Sequence, residues 1–216
     1  MTVALDADRQ LILAYAASSA RPALEALWRL DATLGAVLAA GRDSMVSRIR
    51  LAWWREALDR LDSDSPPPEP VLRALAAQVL TRGVSGGDLA AMEEGWAELL
   101  TDGPLDEAAL RAYARARGER LFRLSARVLD SDESGLAEAG ARWALVDLAR
   151  RSSNPVESRA AIDLARRIDD RATRKPVPLA LLALLARRDI DRGPYSWERQ
   201  GSPARMLRLM LHRLIG

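Results

Sequence analysis

Cysteine is absent from the 216 residues, and histidine and lysine occur once each, as His212 and Lys175. Without cysteine there is neither a disulfide framework nor a thiolate zinc site, and one histidine excludes a multi-histidine metal site. Aromatics make up only 5%, and six of the ten are tryptophan. The bases are otherwise all arginine, a bias that fits a GC-rich genome and carries no functional weight. The longest apolar run, Val177 to Ala186, has 10 residues and includes Pro178. A bilayer needs ~20, so this run reads as a core helix. Met1-Thr-Val-Ala-Leu-Asp-Ala-Asp8 carries acids where a signal peptide carries bases. A net charge of +2 is too small to imply nucleic acid, although a pI near 9.5 permits an anionic surface as partner. The expectation is a cytoplasmic protein, with a peripheral place at the inner membrane face as its variant.

What is present is helical periodicity, with no convincing period-2 run. The spacing predicts helices at about 6–19, 22–40, 44–62, 69–82, 87–101, 106–129, 132–152, 155–170, 177–190 and 203–215. Pro22 fits a first helical turn, Gly41 a C-terminal stop, and Asp43 or Ser44 a cap for the next helix. Ser63-Asp-Ser-Pro-Pro-Pro-Glu-Pro70 is loop-like, since consecutive prolines cannot occupy a helix interior. With no fixed repeat and one large core's worth of apolar residues (49%), the reading is all-α, one domain over residues 1–216.

The densest segment is Ser47-Arg-Ile-Arg-Leu-Ala-Trp-Trp-Arg-Glu-Ala-Leu-Asp-Arg-Leu61. As a helix it has Val46, Ile49, Trp53 and Ala57 on one flank and Leu51, Trp54, Leu58 and Leu61 on the other. Arg48, Arg55 and Asp59 stack between them. A helix apolar on most of its circumference is expected in the middle of a domain. Its arginines would then need a carboxylate, as in an Arg55–Asp59 pair, or an anionic ligand.

The run Ile49-Arg-Leu-Ala-Trp-Trp-Arg-Glu-Ala-Leu58 resembles the Arg-Leu-x-x-Trp-Arg-x-x-Leu helix of squalene and phytoene synthases. It is closest to the double-Trp form of divergent members, among them mitochondrial relatives that act in assembly of respiratory NADH dehydrogenase. Leu24-Glu-Ala-Leu-Trp-Arg-Leu-Asp31, Met92-Glu-Glu-Gly-Trp-Ala-Glu-Leu99, Tyr113-Ala-Arg-Ala-Arg-Gly-Glu-Arg-Leu121 and Pro178-Leu-Ala-Leu-Leu-Ala-Leu-Leu-Ala-Arg-Arg-Asp189 resemble other helices of that family in the same order. The resemblance implies a helical bundle of the isoprenoid (terpenoid) synthase type. It also implies a cavity for an isoprenoid or lipid ligand.

Working members hold magnesium and a prenyl diphosphate with Asp-Asp-x-x-Asp and Asp-x-x-x-Asp motifs. Mg²⁺ needs several oxygen ligands in near-octahedral order. At the first site this chain reads Leu30-Asp-Ala-Thr-Leu-Gly-Ala-Val37, with Asp31 alone. At the second it reads Trp143-Ala-Leu-Val-Asp-Leu-Ala-Arg-Arg151, with Asp147 alone. The expectation is therefore a catalytically degenerate member with no catalytic residues, metal or cofactor, which binds an apolar ligand or serves as an assembly or scaffold factor. The alternative is an active magnesium-dependent prenyl-diphosphate transferase in which Asp31, Asp147 and Glu157 converge and Arg48 and Arg55 grip the diphosphate.

Asp31, Arg48, Trp53, Arg55, Asp59, Gly118 and Asp147 are the expected cavity lining. Each has a plainer reading. Asp31 would form a salt bridge with Arg21 or Arg29, Gly118 would mark a close helix approach, and at least one of Trp53 and Trp54 would be core. Asp59-x-x-Asp62-x-Asp64 reads as a solvated helix end, Asp169-Asp170 as an arginine-neutralised pair, and Glu93, Glu94 and Glu98 as a surface edge. The C-terminal helix 203–216 is apolar on a broad face, with Arg205, Arg208, His212 and Arg213 on the remainder. It is expected to dock on its own domain, with a protein partner or an anionic membrane as alternatives.

Overall fold

The computed structural model describes residues 3–40, 43–101, 103–131, 135–169, 175–194 and 196–215, with side chains to Leu211. The described residues form helices and no strand. In chain order these are α1 (Ala7–Leu13), α2 (Arg21–Ala40), α3 (Ser44–Asp59), α4 (Pro70–Gln78), α5 (Gly86–Ala90), α6 (Glu93–Ala97), α7 (Glu107–Tyr113), α8 (Arg120–Val128), α9 (Leu136–Arg151), α10 (Pro155–Arg167), α11 (Val177–Arg192) and α12 (Pro203–Ile215). Gly41, Asp170, Arg171 and Arg174, and the side chains of His212 and Arg213, lie outside the described residues.

Local chemistry sets most boundaries. Asp43 caps α3 by accepting from the Met45 N–H at 2.8 Å. The expected helix 6–19 stops at Leu13 because the Arg21 guanidinium takes the carbonyls of Ala14 and Ala16. The expected helix 87–101 is two short pieces. Ser85 and Asp88 form a capping box at the start of α5, and Arg120 captures the Ala91 carbonyl where α5 gives way to α6. The expected helix 106–129 runs from α7 to α8 through a six-residue π-type stretch, Ala114–Glu119.

The central helix is α9, which is buried almost all round from Leu136 to Ala149 and packs against α8, α10, α11 and the π-type stretch. The tryptophan helix α3 does not take that place. It buries only the line Ser47, Leu51, Trp54, Ala57 and Leu58, against α2, α5 and α6. Its other apolar flank faces outward, with Ile49 63% and Trp53 47% exposed. Two apolar flanks in a helical wheel do not by themselves say which one is covered.

Glycine sets one crossing. A Cβ on Gly118 would stand 2.2 Å from the Gly140 carbonyl oxygen, and one on Gly140 2.3 Å from that of Gly118. The π-type stretch and α9 therefore meet backbone to backbone. Gly118 belongs to this contact and not to a cavity wall, so the plainer reading of this residue holds.

Candidate ligand cavity above a buried arginine–carboxylate cluster

The buried line of α2 runs through Leu24, Leu27, Trp28, Asp31 and Leu34, so the helical period places one carboxylate inside the core. Asp31 is fully buried. The π-type stretch brings Arg117 to it: Nε donates to Oδ1 at 2.8 Å and Nη2 to Oδ2 at 2.9 Å. The same Nη2 donates to Asp147 Oδ2 on α9 at 2.7 Å. One guanidinium nitrogen thus joins the two carboxylates. From α1, Arg9 donates to Asp31 at 2.9 Å and to Asp6 at 2.6 Å. Arg151 closes the other side on Asp147 at 3.0 Å. Three arginines and three aspartates balance.

Aromatic faces wall the Arg117 guanidinium. Its carbon lies 4.1 Å from the Trp96 ring, 4.8 Å from Trp143 and 5.6 Å from Tyr113, whose hydroxyl accepts from Nη1. Trp96 can lie there because Gly35 and Gly95 leave room. A Cβ on Gly35 would stand 2.6 Å from the Trp96 ring, and one on Gly95 2.6 Å from the Arg117 backbone nitrogen. The Trp96 Nε1–H is buried with no acceptor.

Charge follows from this packing. Burial alone would raise the Asp31 carboxyl's pKa, but Arg117 and Arg9 outweigh it and hold it below the ordinary carboxylate range. Asp147 shows the same balance: burial raises it, and Arg117 and Arg151 outweigh burial and hold it well below the ordinary range. Burial works against the charged form of Arg117, yet Asp31 and Asp147 raise its pKa well above the usual arginine value. Burial pushes the Tyr113 phenol up, so it stays protonated.

Over this cluster opens a cleft of about 910 Å³. Arg9, Tyr113, Arg117 and Arg151 form part of its lining, and Leu5, Ala32, Ala36, Leu38, Leu99, Leu105 and Leu148 line apolar wall. Ser152, Glu157 and Gln200 stand on its polar side, with Ser152 donating to Glu157 at 3.0 Å. The described residues contain no group of three or more carboxylate, histidine or cysteine side chains arranged to hold a metal ion. Asp31 and Asp147 do converge, but their facing oxygens are already engaged by guanidinium donors. The residues present do not fit a magnesium cluster.

Of the expected lining, the structure brings together Asp31 and Asp147, which lie in the cluster beneath the cleft. Arg48, Trp53, Arg55 and Asp59 are elsewhere. Arg48 reaches out to the Leu100 carbonyl. Arg55 meets Glu93 and Glu94 of α6 at 3.4 Å each, in place of the expected Asp59, and Asp59 is exposed. Neither arginine is among the residues that line the cleft over Asp31. Trp54 is core at 7% exposure, and its ring meets the outward Trp53 edge to face at 5.3 Å.

The partners of Asp31 also differ from expectation. Arg29 pairs with Glu25 at 2.7 Å and Arg21 caps carbonyls, so the true partners come from 22 and 86 positions away. Asp59, Asp62 and Asp64 are all exposed, as expected of a solvated helix end, and Asp62 also accepts from the Gly86 N–H at 2.8 and 2.9 Å. Glu94 bridges Arg55 and Arg120, and its neighbour Glu93 is buried. Arg9, Trp96, Tyr113, Arg117 and Arg151 escaped the sequence reading. The spacing Tyr113-x-x-x-Arg117, one helical turn beside a glycine, was the available signal.

A helical bundle with a cleft set over two inward aspartates, one on α2 and one on α9, defines a class before any comparison is made. The family model for squalene/phytoene synthase matches residues 4–154, and the chain belongs to that family, whose fold is the all-α isoprenoid synthase fold. No curated protein and no solved structure matches the chain.

Proposed function

We propose that this chain is a non-catalytic member of its family that holds a neutral, apolar, isoprenoid-like molecule in the cleft. The observation that carries this reading is Arg117 Nη2, hydrogen-bonded to Asp31 and Asp147 at once under an open cleft. A guanidinium occupies the point at which two carboxylates would share a cation. Freeing them would strand buried charge, which is costly. The cluster is internally neutral, so it offers no net positive charge to a diphosphate. The apolar wall suits a hydrocarbon chain, and a cleft of this size falls within the range of ligand sites.

Two measurements test the reading together. A fluorescent apolar probe in the cleft is expected to be displaced by farnesol, with farnesyl diphosphate and Mg²⁺ competing no better. Incubation with farnesyl or geranylgeranyl diphosphate and Mg²⁺ is expected to give no product. Saturable turnover would defeat the proposal, and so would displacement by the diphosphate alone.

A second reading, an assembly or scaffold role, draws on α12. The helix docks on its own domain through Leu209, as expected, but only part of its apolar face is covered. Arg205, expected on the solvent side, is buried between Asp8 at 2.7 Å and Asp189 at 2.6 Å. Met206, Leu207, Met210 and Leu211 face outward instead. An exposed face rich in methionine and leucine suits an adaptable protein contact.

A further inference from the structure

The outward flank of α3 has a composition that its own domain does not explain. Met45, Val46, Ile49 and Trp53 are 62%, 41%, 63% and 47% exposed. At 100° per residue they form one contiguous stripe along the first ten residues of the helix. Arg48 and Arg50 emerge on either side of that stripe, and both are exposed. Arg48 touches only the Leu100 carbonyl, and no ion pair to Arg50 occurs among the described residues. A tryptophan and aliphatic stripe flanked by unneutralised guanidiniums is the pattern of a helix lying in a lipid headgroup layer. There the rings and aliphatic chains sink in, and the arginines reach phosphates. A purely apolar protein groove would leave both guanidiniums without counter-charge.

Position adds a second observation. The last turns of α2 carry Ala36, Leu38 and Ala39 of the cleft wall, and α3 begins at Ser44, directly after them. Arg48 holds the Leu100 carbonyl, between the lining residues Leu99 and Thr101. The apolar stripe therefore stands beside the rim of the cleft. No helix among the described residues is long and apolar enough to cross a membrane, so a contact of this kind is made by lying on the surface.

We propose that the first half of α3 seats the protein on an anionic lipid surface, so that an apolar ligand passes between bilayer and cleft. The passage rests on the apolar-ligand reading above, whereas the seat does not. The test is co-sedimentation of the full chain with vesicles of phosphatidylcholine, alone or with an equal share of phosphatidylglycerol. Thermal melts confirm that each variant is folded. The wild-type chain is expected to partition onto the anionic vesicles. Ile49→Ser with Trp53→Ser is expected to lower partition by at least about tenfold. Arg50→Gln should lower it about fivefold on anionic vesicles and leave neutral ones unchanged.

Absence of wild-type binding overturns the seat. So does wild-type-like partition of the Ile49/Trp53 variant, or a loss confined to Leu207→Ser with Met210→Ser on α12. Probe binding measured without vesicles separates the two proposals. Retention of it in a variant that has lost vesicle binding supports the seat as a distinct surface. Wild-type chain that sediments through α3 yet binds no probe leaves the seat standing and overturns the cleft reading.

Discussion

Two arginine-bearing regions of this molecule behave in opposite ways. On α3, Arg48, Arg50 and Arg55 sit among aliphatic and aromatic residues and remain at the surface. Under the cleft, Arg9 and Arg117 are almost wholly buried, 2% and 1% exposed. The difference is the availability of carboxylates from other helices. Asp31 and Asp147 come from α2 and α9, and Arg117 reaches both. Nothing of the kind faces Arg48. Arg55 does reach Glu93 and Glu94 of α6, at 3.4 Å and half exposed, so counter-charge from distant parts of the chain is needed to bury an arginine but does not by itself bury one.

The largest effect that would sharpen this contrast comes from Arg117→Leu. It leaves two buried carboxylates without their shared partner, and loss of one member of such a pair costs about 3–5 kcal/mol. Urea unfolding should show a correspondingly lower midpoint with an unchanged slope. A variant as stable as the wild-type chain would mean that the cluster is solvated rather than buried.

An intermediate effect is acid dependence. Asp31 and Asp147 have folded pKa values below their ordinary ones. Their contribution is therefore complete above the unfolded value near 3.9 and is lost as pH falls through the folded values. Unfolding midpoints should hold roughly level from pH 7 to pH 5 as far as these groups decide, and fall below about pH 4. In Arg117→Leu that acid-side fall should flatten, because carboxyls buried without a guanidinium take up protons more readily.

The smallest effect is on the outer helix. Arg55→Gln removes two contacts of 3.4 Å made by a half-exposed guanidinium and should change stability by less than about 0.5 kcal/mol. A loss approaching that of Arg117→Leu would erase the distinction between the two regions.

The sequence disclosed this contrast only in part. Helical periodicity and capping residues placed most helices, because those signals are local: Asp43, Pro22 and Gly118 each meant what their positions suggested. Asp31 and Asp147 were legible as lone inward carboxylates because the family's motifs put acids there. Their partners were not legible, since Arg9 and Arg117 are brought in by the packing of α1 and of the π-type stretch. The misplacement of α3 has a similar cause. Its two apolar flanks are equivalent in a helical wheel, and only the arrival of α5 and α6 on one of them decides which is core. The burial of Arg205 on α12 turns on Asp8 and Asp189, whose pairing with it spans 197 and 16 positions.

The π-type winding of Ala114–Glu119 has a consequence for how this chain can change. Such a stretch accommodates an additional peptide unit within an otherwise α-helical segment. Deleting one residue between 114 and 116 would leave Arg117 beside Gly118 but would turn Tyr113 and α7 by about 100° relative to both, or shift them along the axis. Either movement withdraws the Tyr113 hydroxyl from the Arg117 guanidinium while both side chains are still encoded. The enclosure of the buried guanidinium thus depends on chain length at one place as much as on the identity of the residues around it.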